Sequence, residues 1–196
     1  MTPEASAMTN LELRPADTGL LLIDAQERLV KAMPEARAAE TARNTVTLLE
    51  AARRLGLAVV ATEQYPDGLG RTIAPIAEAL ARLEPPCAPI AKMEFSALAC
   101  PAALAAVRQA ARRSWLVVGM ETHVCVWQSV RALRAEDRVV HVVRDACLSR
   151  RDENFQAGLD LCARAGAVIT TTEVVVFDLL GRAGTDDFRA LSKLVR

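Results

Sequence analysis

The chain has 196 residues, 52% of them hydrophobic, and balances 24 Lys plus Arg against 24 Asp plus Glu for a formal net charge of zero. That length suits one domain with a substantial core, and the dispersed arginines, interleaved with acids, argue against a nucleic-acid partner. The first eight residues carry neither the basic nor the apolar segment of a secretion signal. No apolar run is long enough to cross a bilayer, so the expected setting is cytoplasmic with no membrane partner.

Residues 1–17 read as a loosely held lead-in, and 18–196 as a single domain. Gly19 to Asp24 predicts the first strand. A turn through Lys31 and Pro34 leads to a helix over Glu35 to Leu55, with Ala36, Ala39, Val46, Leu49 and Ala52 on its apolar face and Gly56 as its stop. Leu57 to Thr62 predicts a strand covered on both faces. The polar stretch from Glu63 to Thr72 reads as a loop able to wall a site.

Helical sequence resumes near Ile73 and is broken by Pro85-Pro86 before a short third strand at Ala88 to Ala91. Then follow a helix over Ala102 to Arg112, a strand at Trp115 to Val118, a helix from Thr122 to Ala135 and a strand at Val139 to Val143. A helix from Asn154 to Ala165, a sixth strand at Val168 to Thr171 and short helices at Glu173 to Leu180 and Asp187 to Leu194 complete the chain. Phe188, Leu191 and Leu194 can pack on their own sheet or against a partner copy. Strands alternating with helices predict a three-layer, doubly wound α/β fold: a six-stranded, mainly parallel sheet with helices on both faces.

Such sheets bind ligands beyond the carboxyl ends of their strands. Asp24, Lys92 and Cys125 all fall at that edge. The thiolate is the attacking form of cysteine, a neighbouring ammonium favours it, and a carboxylate can take the thiol proton. Gly119-Met120-Glu121-Thr122 can present main-chain amides to a developing oxyanion. The five cysteines, Cys87, Cys100, Cys125, Cys147 and Cys162, include no CxxC pair and fit neither a disulfide framework nor the usual zinc spacing. Away from Cys125 they read as small buried hydrophobes, ahead of a site-lining role at Cys87 or Cys147.

Three ordered stretches, Leu22-Ile23-Asp24-Ala25-Gln26, Ala91-Lys92-Met93-Glu94-Phe95-Ser96 and Gly119-Met120-Glu121-Thr122-His123-Val124-Cys125-Val126, resemble the isochorismatase-like cysteine hydrolases. The likeness runs from about Thr18 to Phe177. It implies an Asp24-Lys92-Cys125 triad, a cis peptide at Met120-Glu121 and oxyanion donors at the backbone amides of Glu121 and Cys125. The cysteine favours amidase-like chemistry over vinyl-ether hydrolysis, because true isochorismatases do not use it.

Nicotinamidases of this family carry an Asp and His metal pair after the second strand. Here that stretch is Thr62-Glu63-Gln64-Tyr65-Pro66, so neither a metal nor another cofactor is expected. The loop looks closest to the isochorismatase-domain-containing branch, and the resemblance favours a homo-oligomer.

The resulting expectation is a hydrolase of a small amide or related C–N-bonded compound working through a Cys125 thioester. Gln26, Gln64, Tyr65, Phe95 and Trp127 are the candidate pocket residues, and His123 reads as local structure rather than base. Two alternatives stay open: a thiol-based redox enzyme at Cys125, and a non-catalytic homo-oligomeric binding protein on the same scaffold.

Overall fold

The computed structural model describes residues 11–195. Its centre is β1 (Thr18–Ile23), buried along its whole length, so every side chain needs an apolar cover on one face or the other. Six strands pair in the order β3-β2-β1-β4-β5-β6, with β2 at Ala58–Gln64, β3 at Ile90–Lys92, β4 at Ser114–Met120, β5 at Val139–Leu148 and β6 at Val168–Thr170. All five pairings are parallel. Strand order reverses between β1 and β4, the place where such sheets open a crevice at their carboxyl edge.

The alternation of β1 assigns the two cores. Leu20 and Leu22 face a cluster supplied by α2 (Glu35–Leu55), α4 (Ala74–Ala81) and α8 (Thr172–Leu180). Leu21 and Ile23 face the cluster under α5 (Pro101–Ala110), α6 (Trp127–Ala135) and α7 (Asp152–Arg164). Short helices α1 (Glu27–Lys31) and α3 (Pro66–Leu69) follow β1 and β2, and α9 (Asp186–Leu191) closes the chain.

Several boundaries differ from the sequence expectation for identifiable reasons. In α2 the inward face is Ala38, Thr41, Thr45, Leu48, Leu49 and Ala52, while Ala36 and Ala39 are exposed. Its threonines bury despite their hydroxyls, and Thr45 satisfies its own by donating 2.8 Å back to the Thr41 carbonyl. β2 extends through Glu63 and Gln64 into the expected loop, and β3 includes Lys92 as its last residue. β5 continues five residues past Val143 through a register shift opposite Val117 and Gly119. Its half-buried Asp145 takes the Thr172 N–H and hydroxyl at 2.9 and 3.0 Å, so the polar Arg144-Asp145 step marks a bulge and not a strand end.

Of the lead-in, residues 1–10 lie outside the described residues. Beyond them Leu13 is buried and its N–H donates 2.9 Å to the Asp178 carboxylate, so this part of the lead-in is fastened to α8. At the other end Leu191 packs with Ala51 and Val176 of its own chain, and Phe188 lies 6.4 Å from Phe177. Leu194 stays exposed.

One glycine closes the sheet at the switch point. Gly119 has φ +118°, and a Cβ there would sit 1.9 Å from the Ile23 carbonyl oxygen. Gly119→Ala is therefore expected to destabilise the protein by more than ~3 kcal/mol, in the tail reserved for backbone strain and overpacking. Urea unfolding checks this, and a midpoint equal to the parent's would show that β1 and β4 can separate.

Candidate active site

Four strand ends supply the site. Asp24 directly follows β1 in the left-handed region (φ 52°), a conformation that a short polar side chain tolerates better than most. That turn aims a fully buried carboxylate along the sheet edge. Oδ1 accepts from the Thr62 hydroxyl at 2.7 Å, and Oδ2 accepts from Lys92 Nζ at 2.7 Å.

Lys92 lies two strands from Asp24. Neighbouring strands are about 4.8 Å apart, so the gap requires a long unbranched side chain crossing the end of β2. Gln64, in register with Lys92 on β2, supports it on the way: Oε1 accepts from Nζ at 2.7 Å while Nε2 donates to the Met93 carbonyl at 2.8 Å. The Glu94 and Phe95 carbonyls complete the cage at 3.1 and 3.3 Å. The ion pair is wholly buried on both sides.

Cys125 comes from the opposite side of β1. After β4 the Met120-Glu121 peptide is cis, and the chain enters a wide π turn, Thr122–Val126, before α6 begins. The Val126 N–H donates 3.2 Å to the Glu121 carbonyl, five residues back. Single π turns of this kind re-aim side chains and are frequent at functional sites. Here the turn sets the thiol, 6% exposed, near enough to Asp24 for each group to shift the ionisation of the other.

Electrostatics set the resting protonation. Burial pushes the Cys125 thiol up to about 12, with the negative charge of Asp24 adding to the rise and Lys92 opposing it. Burial also raises the Asp24 carboxyl, against the pull of Lys92 and its hydrogen bonds. The free site is thus a neutral thiol beside a buried carboxylate of increased proton affinity. Such a pair is chemically able to exchange a proton.

The expected pocket residues divide. Gln26 is fully buried and does not wall a pocket. Its Nε2 donates to the Gln64 and Gly70 carbonyls at 3.0 and 2.7 Å, and its Oε1 takes the Gln64 N–H at 2.7 Å, so it braces the β1 and β2 ends. Gln64 holds Lys92. Tyr65 and Phe95 are 48% and 54% exposed and follow the ends of β2 and β3, where Met93 at 66% and the charged Glu94 are exposed as well. Trp127 packs on the core beneath α6 with the Arg131 guanidinium 5.6 Å over its ring.

His123 Nδ1 lies 3.1 Å from the Ser149 hydroxyl, a local contact. Glu63 is committed to the Thr72 N–H and hydroxyl at 2.7 and 2.8 Å and to Arg71 at 3.1 Å. Glu63 is thus spent on local contacts, and no group of three or more metal-ligating side chains occurs among the described residues. Cys147 is buried. Cys87 lines a cavity of about 390 Å³ with Pro85, Pro86 and Arg112, at the amino ends of the strands and away from Asp24.

Two partners escaped the sequence reading. Thr62 was visible as a strand-end residue, but its role needs the β1 to β2 register. The link from Arg150 to Glu121 spans 29 residues and leaves no local signal.

Fold and site together define a doubly wound α/β scaffold with Asp24 and Cys125 beyond the strand ends where the sheet order reverses. The sequence profile of the family described as Isochorismatase domain matches residues 18–174, and the chain belongs to that hydrolase family. Isochorismatase domain-containing protein 2 of Bos taurus is 31% identical over 186 residues, covering 93% of this chain and 84% of its own. Isochorismatase domain-containing protein 1 of Salmo salar is 35% identical over 149 residues, 76% of this chain and 51% of its own, so this chain spans about half the length of that relative. Among solved structures, the MAR1 ribonuclease of Caenorhabditis elegans superposes with a TM-score of 0.85 at 29% identity, over 94% of this chain and 92% of that one.

Proposed function

We propose that the protein hydrolyses the C–N bond of a small uncharged amide or related compound through a thioester on Cys125. The observation that supports this is the buried Asp24 carboxylate, which accepts from Lys92 Nζ at 2.7 Å and is among the groups that raise the Cys125 thiol. Sγ attacks the carbonyl carbon as its proton passes to Asp24. The displaced electron pair goes to oxygen, which the Glu121 and Cys125 amides receive. Collapse breaks the C–N bond, and Asp24 returns its proton to the departing nitrogen, releasing ammonia or an amine. Water then loses a proton to Asp24 as it attacks the thioester; the acid leaves, and the proton goes back to sulfur.

Lys92 works by position. Caged by Asp24, Gln64 and two carbonyls, it keeps the carboxylate aimed without meeting substrate. The innermost charges cancel in pairs, Asp24 with Lys92 and Glu121 with Arg150, and the rim of Tyr65, Met93 and Phe95 is apolar apart from the exposed Glu94. This supports an uncharged substrate with an apolar substituent. Net neutrality and that rim also speak against carrying the named activity of the C. elegans ribonuclease to this chain.

Thiol redox chemistry is less well supported, because oxidation tracks standing thiolate and this thiol is held protonated. The five unpaired cysteines suit a reducing, cytoplasmic setting. Exposed Val174 and Phe177 on α8 offer apolar area for a homo-oligomer.

A panel of small amides, carbamates and ureides tests the reading. Acid quench during turnover is expected to leave the acyl group on the Cys125 peptide, seen by mass spectrometry, and prior alkylation of Cys125 is expected to stop turnover. Alkylated protein working at the parent rate would overturn the mechanism.

A further inference from the structure

Glu121 carries a side chain as well as an oxyanion amide. Its carboxylate is nearly buried, and Oε1 accepts from the Arg150 backbone N–H at 3.2 Å and from Arg150 Nε at 3.0 Å. Arg150 sits in the loop between β5 and α7, and its own side chain is 59% exposed. One residue earlier Ser149, fully buried, meets His123 of the π turn at 3.1 Å. The β5 to α7 loop thus grips both ends of the segment from Glu121 to His123.

We infer that Arg150 is a positioning residue for the nucleophile: it fixes the Glu121 peptide in place and cancels the Glu121 charge that would otherwise face Cys125 and the developing oxyanion. This deepens the thioester reading and rests on it. A bare carboxylate one peptide from an oxyanion donor opposes the charge that donor must stabilise. The same carboxylate also disfavours the thiolate, since Glu121 is among the groups that raise the Cys125 thiol, with Asp24, and against Lys92.

The charged groups around Cys125 are then Asp24 just beyond β1, Lys92 at the end of β3 and Glu121 just beyond β4, with Arg150 reaching in from the loop after β5. Only Arg150 is at the surface. It can be altered without opening the core.

The test reads Cys125 directly and needs no substrate. Alkylation by iodoacetamide at a fixed pH of about 8, followed by peptide mass spectrometry, gives the Cys125 rate in the parent, Arg150→Gln, Arg150→Lys, Glu121→Gln and the double Gln variant. Arg150→Gln is expected to slow alkylation about 2- to 5-fold, the range carried by an ion pair with one exposed partner. Arg150→Lys should recover most of the rate by restoring the charge, and the double Gln variant should return to the parent rate by removing the charge that needed cancelling.

Parent-like alkylation of Arg150→Gln, or a double variant as slow as Arg150→Gln, would overturn the inference. Circular-dichroism melting confirms that each variant is folded. If alkylated protein keeps full turnover while the alkylation pattern holds, the thioester reading fails and the Arg150 link to Cys125 survives.

Discussion

Asp24→Asn is expected to lower turnover by about 10²- to 10⁴-fold, the range for losing a positioned proton-transfer group, and to destabilise the fold in the same stroke. The amide keeps the shape of the carboxylate and the Thr62 bond but leaves the Lys92 ammonium buried without a counter-charge. Breaking a buried pair from one side costs about 3–5 kcal/mol. Lys92→Met should cost a similar amount, because it strands the carboxylate instead.

The double variant Asp24→Asn/Lys92→Met should regain most of that stability while staying inactive. Cys125→Ala, which leaves the ion pair whole, should be inactive and close to parent stability. Urea midpoints and turnover on one amide separate these cases. Parent-level stability in Asp24→Asn would mean that water reaches Lys92, and parent-level turnover would remove Asp24 from the chemistry.

Stability should also fall steeply on the alkaline side. Burial raises the thiols of Cys125, Cys147 and Cys162 above the ordinary value of 9.0, Cys125 and Cys162 to about 12. Below the unfolded value both states hold these protons and the stabilisation is complete. Above it the unfolded chain releases them while the folded protein keeps them, so unfolding is favoured as pH rises toward the folded values.

Each such thiol contributes a slope of about 1.4 kcal/mol per pH unit, so three give ~4 kcal/mol per unit in the window above about pH 9. Urea unfolding at successive pH values checks the slope, and Cys162→Ala should reduce it by about a third. A flat profile from pH 9 to about 10.5 would show that the folded protein ionises these thiols as easily as the unfolded chain.

The parts of this molecule legible in the sequence are those encoded by local pattern. The run Gly19 to Asp24 and the step from Val118 to Cys125 announce strands, a sharp turn and a candidate nucleophile within a few positions. Lys92 was legible as a strand-end cation, but the reason for a lysine appears only once β2 lies between it and Asp24. Gln26 and Gln64 read as pocket residues because polar groups at strand ends often are; their amides instead hold the loop ends together. α2 misled by composition, since alanines suggest a buried face and threonines an exposed one, whereas the packing rotates the helix toward Thr41 and Thr45. Thr62 and Arg150 act through register and loop approach, which no local pattern encodes.

One of the two three-residue strands of the sheet carries one of the most buried charges in the protein. β3 has three residues, one hydrogen-bonded neighbour and a Pro-rich approach, so by length alone it would be among the first strands to fray. Lys92 changes that, because the strand cannot lift without dragging an ammonium out of its cage and leaving Asp24 unpaired. The edge of the sheet is thereby locked to its centre by the Asp24–Lys92 pair itself, and a fluctuation that loosened this margin would dismantle the arrangement on which the proposed chemistry rests while most of the fold was still intact.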